Sequence, residues 1–448
     1  MNAFNAHQNK SGIAEAMLGN TISTPSRRGQ RRMTVSLTGP EGAPSRPNIS
    51  RQIPVADVPV YPVLSGHSMA PGWPHQYPNV LDVGSSSFLR LGRYAIALAF
   101  KHFDLQPDDK VLVPAYHCDS MIYPVLHAGA KPIFYKVREN LRVDIQDIES
   151  RVDSRTRAVI ATHYFGFHQD VAQLRDLCDR HKLVLIEDCA HAFYGRIEGA
   201  PIGSFGDYAI ASMWKFFPIP EGACLVSSRH ALSGLDTSTS HPGSNLRALT
   251  TILDQARYYG RLWPLAPAQM AIDILSAIRA RSRTESFLEP PGTESETTTD
   301  LSVRSSRFDS NLSDCPMLSS CRRLFSYLSL QAQDHVNRRR ENYAHLLGQL
   351  QKVKGCRPIL PDLFDGVVPY MLPLWIENLP KIFPLLEDAA MPMQRFGQFL
   401  WPDTDKTSCS VSESYSRNVI QIPCHQELTE SDLNWMVETL RRACVSRV

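Results

Sequence analysis

Apolar strands that alternate with amphipathic helices predict an α/β fold: a large, mostly parallel sheet covered on both faces, followed by a smaller C-terminal α+β domain. Three observations carry this. Short apolar runs alternate with helical patterns between residues 93 and 186. A second patterned region runs from about 317 to the end. The 448 residues suffice for one large core and a smaller one. In order, Gly92 turns into a helix over Arg93–Phe103, whose apolar residues recur at helical spacing. A strand at Val111–Val113 ends at Pro114, a helix spans Ser120–His127, and Pro132–Tyr135 is the next strand. Helix Ile145–Val152, strand Ala158–Ala161, helix Val171–His181 and strand Leu183–Ile186 continue the alternation. In the second region Gln331–Leu350 reads as a charged helix, Pro369–Trp375 as a strand and Glu430–Cys444 as a last helix. Thr429 with Asp432 three residues on fits the N-cap of that helix.

The boundaries follow composition. Residues 1–75, rich in Ser, Pro, Asn and Arg, are expected to be a flexible leader. Residues 76–228 form the large domain and 229–316 an inserted, connecting region. In the latter, Thr237–Ser244 is polar and loop-like, Leu249–Ile278 has helical spacing and Thr284–Thr299 is low in complexity. Residues 317–448 form the small domain. There is no internal repeat.

Composition narrows the function. Hydrophobic residues at 43% and charged residues at 21% suit a soluble globular protein. A formal net charge of +2 leaves no nucleic-acid footprint, and the basic run Arg27, Arg28, Arg31 and Arg32 reads as a solvated tail. The ten cysteines form no CxxC pair and no metal-spaced cluster, so reduced thiols and no metal site are expected. Neither a secretory signal pattern nor an apolar run of membrane-spanning length occurs, so a cytoplasmic protein without a transmembrane segment is expected.

In a parallel sheet the ligand sits beyond the carboxyl ends of the strands, where Pro114, His163 and Asp188 fall. Asp188 closes the apolar run Val184–Ile186. Lys215 follows a second apolar run and precedes a Pro/Gly-rich turn. A lysine amine and a carboxylate so placed suit pyridoxal 5'-phosphate: the lysine forms the Schiff base, and the acid keeps the pyridine nitrogen protonated. Trp214 and Phe216 would partly desolvate Lys215 and favour its free amine. Taken alone, Lys215 is equally a surface lysine covering apolar neighbours. Asp188 beside Glu187 is equally a solvated strand end. His163 reads as a packing or loop-bonding histidine as readily as a ligand contact, Cys189 as packing, and Arg338–Arg340 as a solvated helix face.

The segments VLIEDCAHAFYG, GSFGDYAIASMWKFFPIPEGACLV, GRYAIALAF, LVPAYHCDSM, LHAGAKPIFYKV and VIQIPCHQELTESDLNWMVETL resemble the DegT/DnrJ/EryC1/StrS family of PLP-dependent aminotransferases. The resemblance covers 81–228 well and 317–445 loosely. It implies fold type I of the PLP-dependent transferases and amination of a keto sugar, nucleotide-linked, in polysaccharide or glycoconjugate synthesis. It also implies an amino-acid donor, glutamate, and a homodimer. By resemblance Lys215 is the Schiff-base and proton-moving lysine, Asp188 the partner of the pyridine nitrogen, and His191 a neighbour of the ring's phenolic oxygen. Gly92, Arg93 and Tyr94 fall on the family's phosphate-binding turn. The ring-stacking place falls on Cys118 or His117, with His117 preferred. The chain departs from the family where Ser212, the phosphate-binding serine, stands only three residues before the lysine. It departs again where Lys-Asn becomes Lys215-Phe216 and Glu-Gly-Gly becomes Glu221-Gly222-Ala223. These departures leave open the alternative of a PLP-binding relative with a structural or regulatory role and no transaminase activity.

Overall fold

A computed structural model describes residues 32–37, 49–54, 56–70, 77–232, 242–262, 316–401, 404 and 409–445. Strands β1 (Arg32–Leu37) and β2 (Ile49–Pro54) pair as an antiparallel hairpin. The large sheet is built from β3 (Ser85–Leu89), β4 (Lys110–Pro114), β5 (Lys131–Tyr135), β6 (Thr156–Thr162), β7 (Val184–Cys189), β10 (Tyr208–Ser212) and β11 (Ala223–Ser227). A two-residue hairpin, β8 (Arg196–Ile197) and β9 (Ala200–Pro201), lies between β7 and β10. The seven strands lie in the order β3-β11-β10-β7-β6-β4-β5. All run parallel except β11, which is antiparallel to both neighbours.

The crossovers are helices α1 (Gly92–His102), α2 (Asp119–His127), α3 (Ile145–Ser150) and α4 (Val171–His181). Helix α1 packs on β10, β11 and α2, and α2 on β5, whereas α4 packs on β7 and α3. Successive residues Val111, Leu112 and Val113 are all buried, so both faces of β4 are covered. That is why its sequence is a continuous apolar run rather than an alternating one.

After β11 come α5 (Pro242–Tyr258), α6 (Ser319–Leu328) and α7 (Ala332–Leu350). A second sheet, β12 (Cys356–Pro358), β13 (Met371–Ile376) and β14 (Val419–Pro423), is antiparallel with β13 in the centre. Helix α7 covers β12 and β13. Helices α8 (Leu379–Asp388), α9 (Ser410–Asn418) and α10 (Glu430–Val445) complete this part. The cap expected for α10 is reciprocal: Thr429 N donates to Asp432 Oδ2 at 2.8 Å, and Asp432 N to Thr429 Oγ1 at 3.2 Å.

Three expectations shift. Packing begins inside the supposed leader, because Val58, Val63 and Leu64 are buried. The large sheet keeps its hold past residue 317. Met317 N donates to Phe88 O at 3.1 Å, and Phe325 of α6 rings against Phe88, Phe193 and Phe217. The polar stretch Thr237–Ser244 ends in helix, since Pro242–Ser244 open α5. The helical spacing beyond residue 262, the low-complexity stretch Thr284–Thr299 and the basic residues Arg27, Arg28 and Arg31 lie outside the described residues.

Candidate active site

The site forms where β6, β7 and β10 end. Register places Thr162 beside Asp188 and Asp188 beside Ile210, so Asp188 stands two residues below Ser212 on the next strand. A single 3-10 turn, Met213–Lys215, then carries the lysine, closed by Phe216 N and Phe217 N on Met213 O at 2.9 and 3.0 Å.

Asp188 is buried, 6% exposed. Its Oδ1 accepts from Ala190 N at 2.9 Å, and Oδ2 has only a long bond from Thr162 Oγ1 at 3.5 Å. Burial raises its carboxyl above the usual range, against the pull of the Ala190 amide and Lys215. Lys215 is half-buried between aromatic faces, with Nζ 5.8 Å from the Trp214 ring centre and 5.5 Å from that of Tyr370. Burial lowers its ammonium, while Cys118 and Asp188 pull the other way. Among the described residues Nζ has neither an ion pair nor a hydrogen bond. An acid pushed toward its neutral form and an amine pushed toward its free form thus face one site.

The phosphate candidates meet across the β10–α1 junction. A Cβ placed on Gly92 would come 2.9 Å from Ser212 Oγ, so the hydroxyl lies against the first turn of α1. Tyr94 N and Ala95 N return to Leu91 O, at 3.1 and 3.4 Å, and Gly92 and Arg93 open the helix beside the Ser212 hydroxyl. Ser212 is buried, yet its hydroxyl has no hydrogen-bond partner among the described residues. Arg93 is half-buried and the Tyr94 side chain is buried. A single tight turn separates Ser212 from Lys215.

His191 is buried and stacked on Tyr370, with centroids 4.6 Å apart, and on Phe165 at 5.6 Å. Its Nδ1 accepts from Phe165 N at 3.4 Å, and burial drives its pKa well down. His117 departs from expectation. It is fully buried and stacked on Phe134 at 4.9 Å. Its Nδ1 donates to Pro114 O and Ala115 O, both at 3.1 Å, while Nε2 accepts from Trp401 N at 3.1 Å. Burial lowers its pKa to about 4. A ring enclosed this way offers no face to a ligand, so His117 is a loop fastener. Its half-buried neighbour Cys118, which interacts electrostatically with Lys215, is the residue of PAYHC that borders the lysine.

His163, Glu187 and Cys189 bring three potential metal donors within 4.8 Å of one another. They are otherwise engaged. Gln169 N donates to His163 Nδ1 at 3.2 Å and His163 Nε2 bonds Glu187 Oε2 at 2.9 Å. Glu187 Oε1 accepts from Phe205 N and Gly206 N. Burial raises the Cys189 thiol far above its usual range, away from the thiolate a metal needs.

Residues 90–228 match the profile of the DegT/DnrJ/EryC1/StrS aminotransferase family. That stretch of the chain carries the resemblance to this family. It is 33% identical over 156 residues to the GDP-perosamine synthase of Vibrio cholerae, a match covering 34% of this chain and 42% of that one. It is 36% identical over 128 residues to the UDP-N-acetyl-3-dehydro-alpha-D-glucosamine 3-aminotransferase of Acidithiobacillus ferrooxidans, covering 28% and 34%. The matches to these two relatives thus span less than half of each relative's length. Among solved structures, the putative sugar aminotransferase Spr1654 of Streptococcus pneumoniae, in its PLP form, superposes with a TM-score of 0.56. Identity there is 15%, covering 84% of this chain and 94% of that one. PseC of Helicobacter pylori, an aminotransferase of pseudaminic acid biosynthesis, gives 0.56 at 15% identity, with 82% and 88% covered. These likenesses establish the fold: fold type I, a large mostly parallel-sheet domain with a smaller α+β domain.

Against the family pattern, the residue after the lysine is Phe216, and what holds it was not foreseen. Arg339, expected on a solvated face, is fully buried, its guanidinium 4.5 Å over the Phe216 ring. Burial lowers its pKa to about 10. A signal was available: Val336, Arg339, Tyr343 and Leu346 recur at helical spacing and are all buried, so Arg339 lies on the apolar stripe of α7. Tyr61 is also part of the site. Its ring meets Trp214 edge-on at 4.7 Å and its hydroxyl donates to Gln394 Oε1 at 2.8 Å. Partners separated by more than 150 residues leave no local trace in a sequence.

Proposed function

We propose that this protein is a pyridoxal-phosphate-dependent aminotransferase that moves an amino group from an amino acid, glutamate, to a keto sugar linked to a nucleotide, in polysaccharide or glycoconjugate synthesis. The observation that carries the reading is the pairing of Asp188 and Lys215 on adjoining strand ends, their pKa values displaced in opposite directions. The residues fit the cofactor. Asp188 is a buried carboxylate that, among the described residues, has no cation within bonding reach, as a pyridinium partner would be. The Gly92 and Arg93 amides and the Ser212 hydroxyl form a cradle suited to a phosphate. Pyridoxal phosphate, when bound, supplies an aldehyde for the lysine and an electron-withdrawing ring that acidifies the substrate's α-carbon.

Lys215 Nζ is the amine that would hold the cofactor's aldehyde, and the same Nζ would hold and move a substrate proton. Its partly desolvated setting favours the base form for both tasks. Asp188 would hold the ring nitrogen's proton. His191, fixed by Tyr370 and Phe165, would be the neighbour of the ring's phenolic oxygen. The substrate class follows the relatives, a GDP-perosamine synthase and an aminotransferase of a UDP-linked 3-dehydro-glucosamine. A homodimer and a cytoplasmic setting belong to the same reading; among the described residues no helix is long and apolar enough to cross a membrane.

The test is spectroscopic. Protein supplied with pyridoxal phosphate should turn yellow, and its absorbance band should move on adding glutamate. Colour without movement would favour a binding protein that has lost transamination. Lys215→Ala should lose borohydride-trapped cofactor and lower turnover by about 10²–10⁴-fold or more. Retained turnover in that variant overturns the assignment.

A further inference from the structure

Resting on the assignment of Lys215 as the reactive amine, we propose that Arg339 and Gln426, both outside the residues matched by the family profile, are the positioning residues of that lysine. Arg339 Nε donates to Gln426 Oε1 at 2.8 Å, which turns the Gln426 amide so that Nε2 donates to Phe216 O at 2.9 Å. The rest of the guanidinium reaches four main-chain carbonyls. Nη2 lies 3.5 and 3.4 Å from Lys215 O and Phe216 O, and Nη1 lies 3.3 Å from both Pro369 O and Tyr370 O. The first two belong to the turn that carries the lysine, the last two to the segment that sets the Tyr370 ring beneath its Nζ. Both side chains are fully buried, and among the described residues Arg339 has no carboxylate partner.

A buried guanidinium without an anion is unfavourable unless its donors are met, and here they are met by the peptide groups around one amine. The device therefore acts on the lysine from below, through backbone that includes Tyr370, whose ring faces Nζ, and it makes no bond to the other titratable groups near the ammonium: Asp188 from β7, Cys118 ahead of α2 and His191 after β7. Loosening the clamp lets the 213–216 turn relax and Nζ reach water, with those facing groups unchanged.

The experiment reads Lys215 itself in cofactor-free, full-length protein. Trace acetic anhydride labels its amine across a pH series, and mass spectrometry of the Lys215 peptide gives the titration midpoint. In wild type the midpoint should lie below that of ordinary lysines. In Arg339→Lys, which keeps the buried charge but cannot span the five acceptors, it should rise by about one unit, cutting labelling near neutral pH about tenfold. Gln426→Leu, which removes the bond to Phe216 O, should shift it the same way, and it decides the matter if Arg339→Lys does not fold. Leu346→Ala, a buried truncation on the same helix, should lower the melting temperature without moving the midpoint. An unchanged midpoint in the folded clamp variants overturns the proposal, and so does an equal shift in Leu346→Ala. Because no cofactor is present, failure of wild type to take up pyridoxal phosphate would overturn the functional reading while leaving this readout intact.

Discussion

Asp188 and Lys215 are displaced in opposite directions by one cause, the removal of water from around a charge. For Asp188 the folded pKa is raised, so between its unfolded and folded values the folded state holds more protons than the unfolded chain. Stability contributed by this group is therefore complete below the unfolded carboxyl value and is lost as pH rises through the folded one. A neutral isostere has no such loss. Cofactor-free Asp188→Asn should consequently melt a few degrees above wild type near pH 7.5, the gap narrowing as pH falls toward 4. Scanning calorimetry over that range checks it, and a gap independent of pH would remove the burial argument. Loaded with cofactor, the same variant should lose turnover by about 10²-fold while still being trapped on Lys215, since the acid stabilises charge on the ring and does not form the bond.

At the scale of elements, the junction of β10 with α1 carries the phosphate argument. Gly92 has no positive φ, so alanine is compatible with its backbone, and the entropy it removes from the unfolded chain favours stability by about 0.4–1 kcal/mol. Its Cβ would instead press on Ser212 Oγ and intrude on the space above the helix terminus. Gly92→Ala should keep or slightly raise the melting temperature yet weaken pyridoxal-phosphate affinity about tenfold or more. Fluorescence titration reads this directly, and unchanged affinity would show that the phosphate lies elsewhere. Elements of this kind were legible in sequence where periodicity is strong. Val171–His181 matches α4 end to end, and the buried strands β4, β6 and β7 stand out as apolar runs. Strand β3 was not legible, because SSSFL is a half-exposed edge strand with little apolar pattern. Within the site, Asp188 and Ser212 stand on adjoining strands, Lys215 follows Ser212 by one turn, and Gly92 lies against Ser212, residues grouped beforehand by the family resemblance. His117 could not be placed, since the tripeptide around it does not encode which side chain turns inward. Arg339 was misjudged because three consecutive arginines look alike until the helix turns one of them onto the apolar stripe.

Over the whole molecule, residues 56–70 act as a strap between the two sheets. Tyr61 links Trp214 beside the lysine to Gln394, Pro59 O accepts from His425 Nε2 at 3.0 Å, and Ser65 Oγ donates to Glu427 Oε2 at 2.5 Å. The last two partners sit between β14 and α10, so the strap fixes how the small sheet faces the end of β10. Its apolar anchor is Leu64, 8% exposed and continuous with the main core. Helix α5, by contrast, turns Leu246 outward at 65% exposure. If the strap carries stability, Leu64→Ala should cost about 2–3 kcal/mol, the lower part of the range for buried leucines. Leu246→Ala should stay within about 0.5 kcal/mol of wild type. Urea unfolding of the full-length chain separates the two. Leu64→Ala should also expose residues 56–70 to limited proteolysis, because its loss frees the segment that the polar contacts alone hold. Equal effects of the two truncations would mean that the strap merely lies on the surface, and that contacts such as Tyr370 N to Phe165 O and those of Arg339 hold the small sheet over the lysine without it.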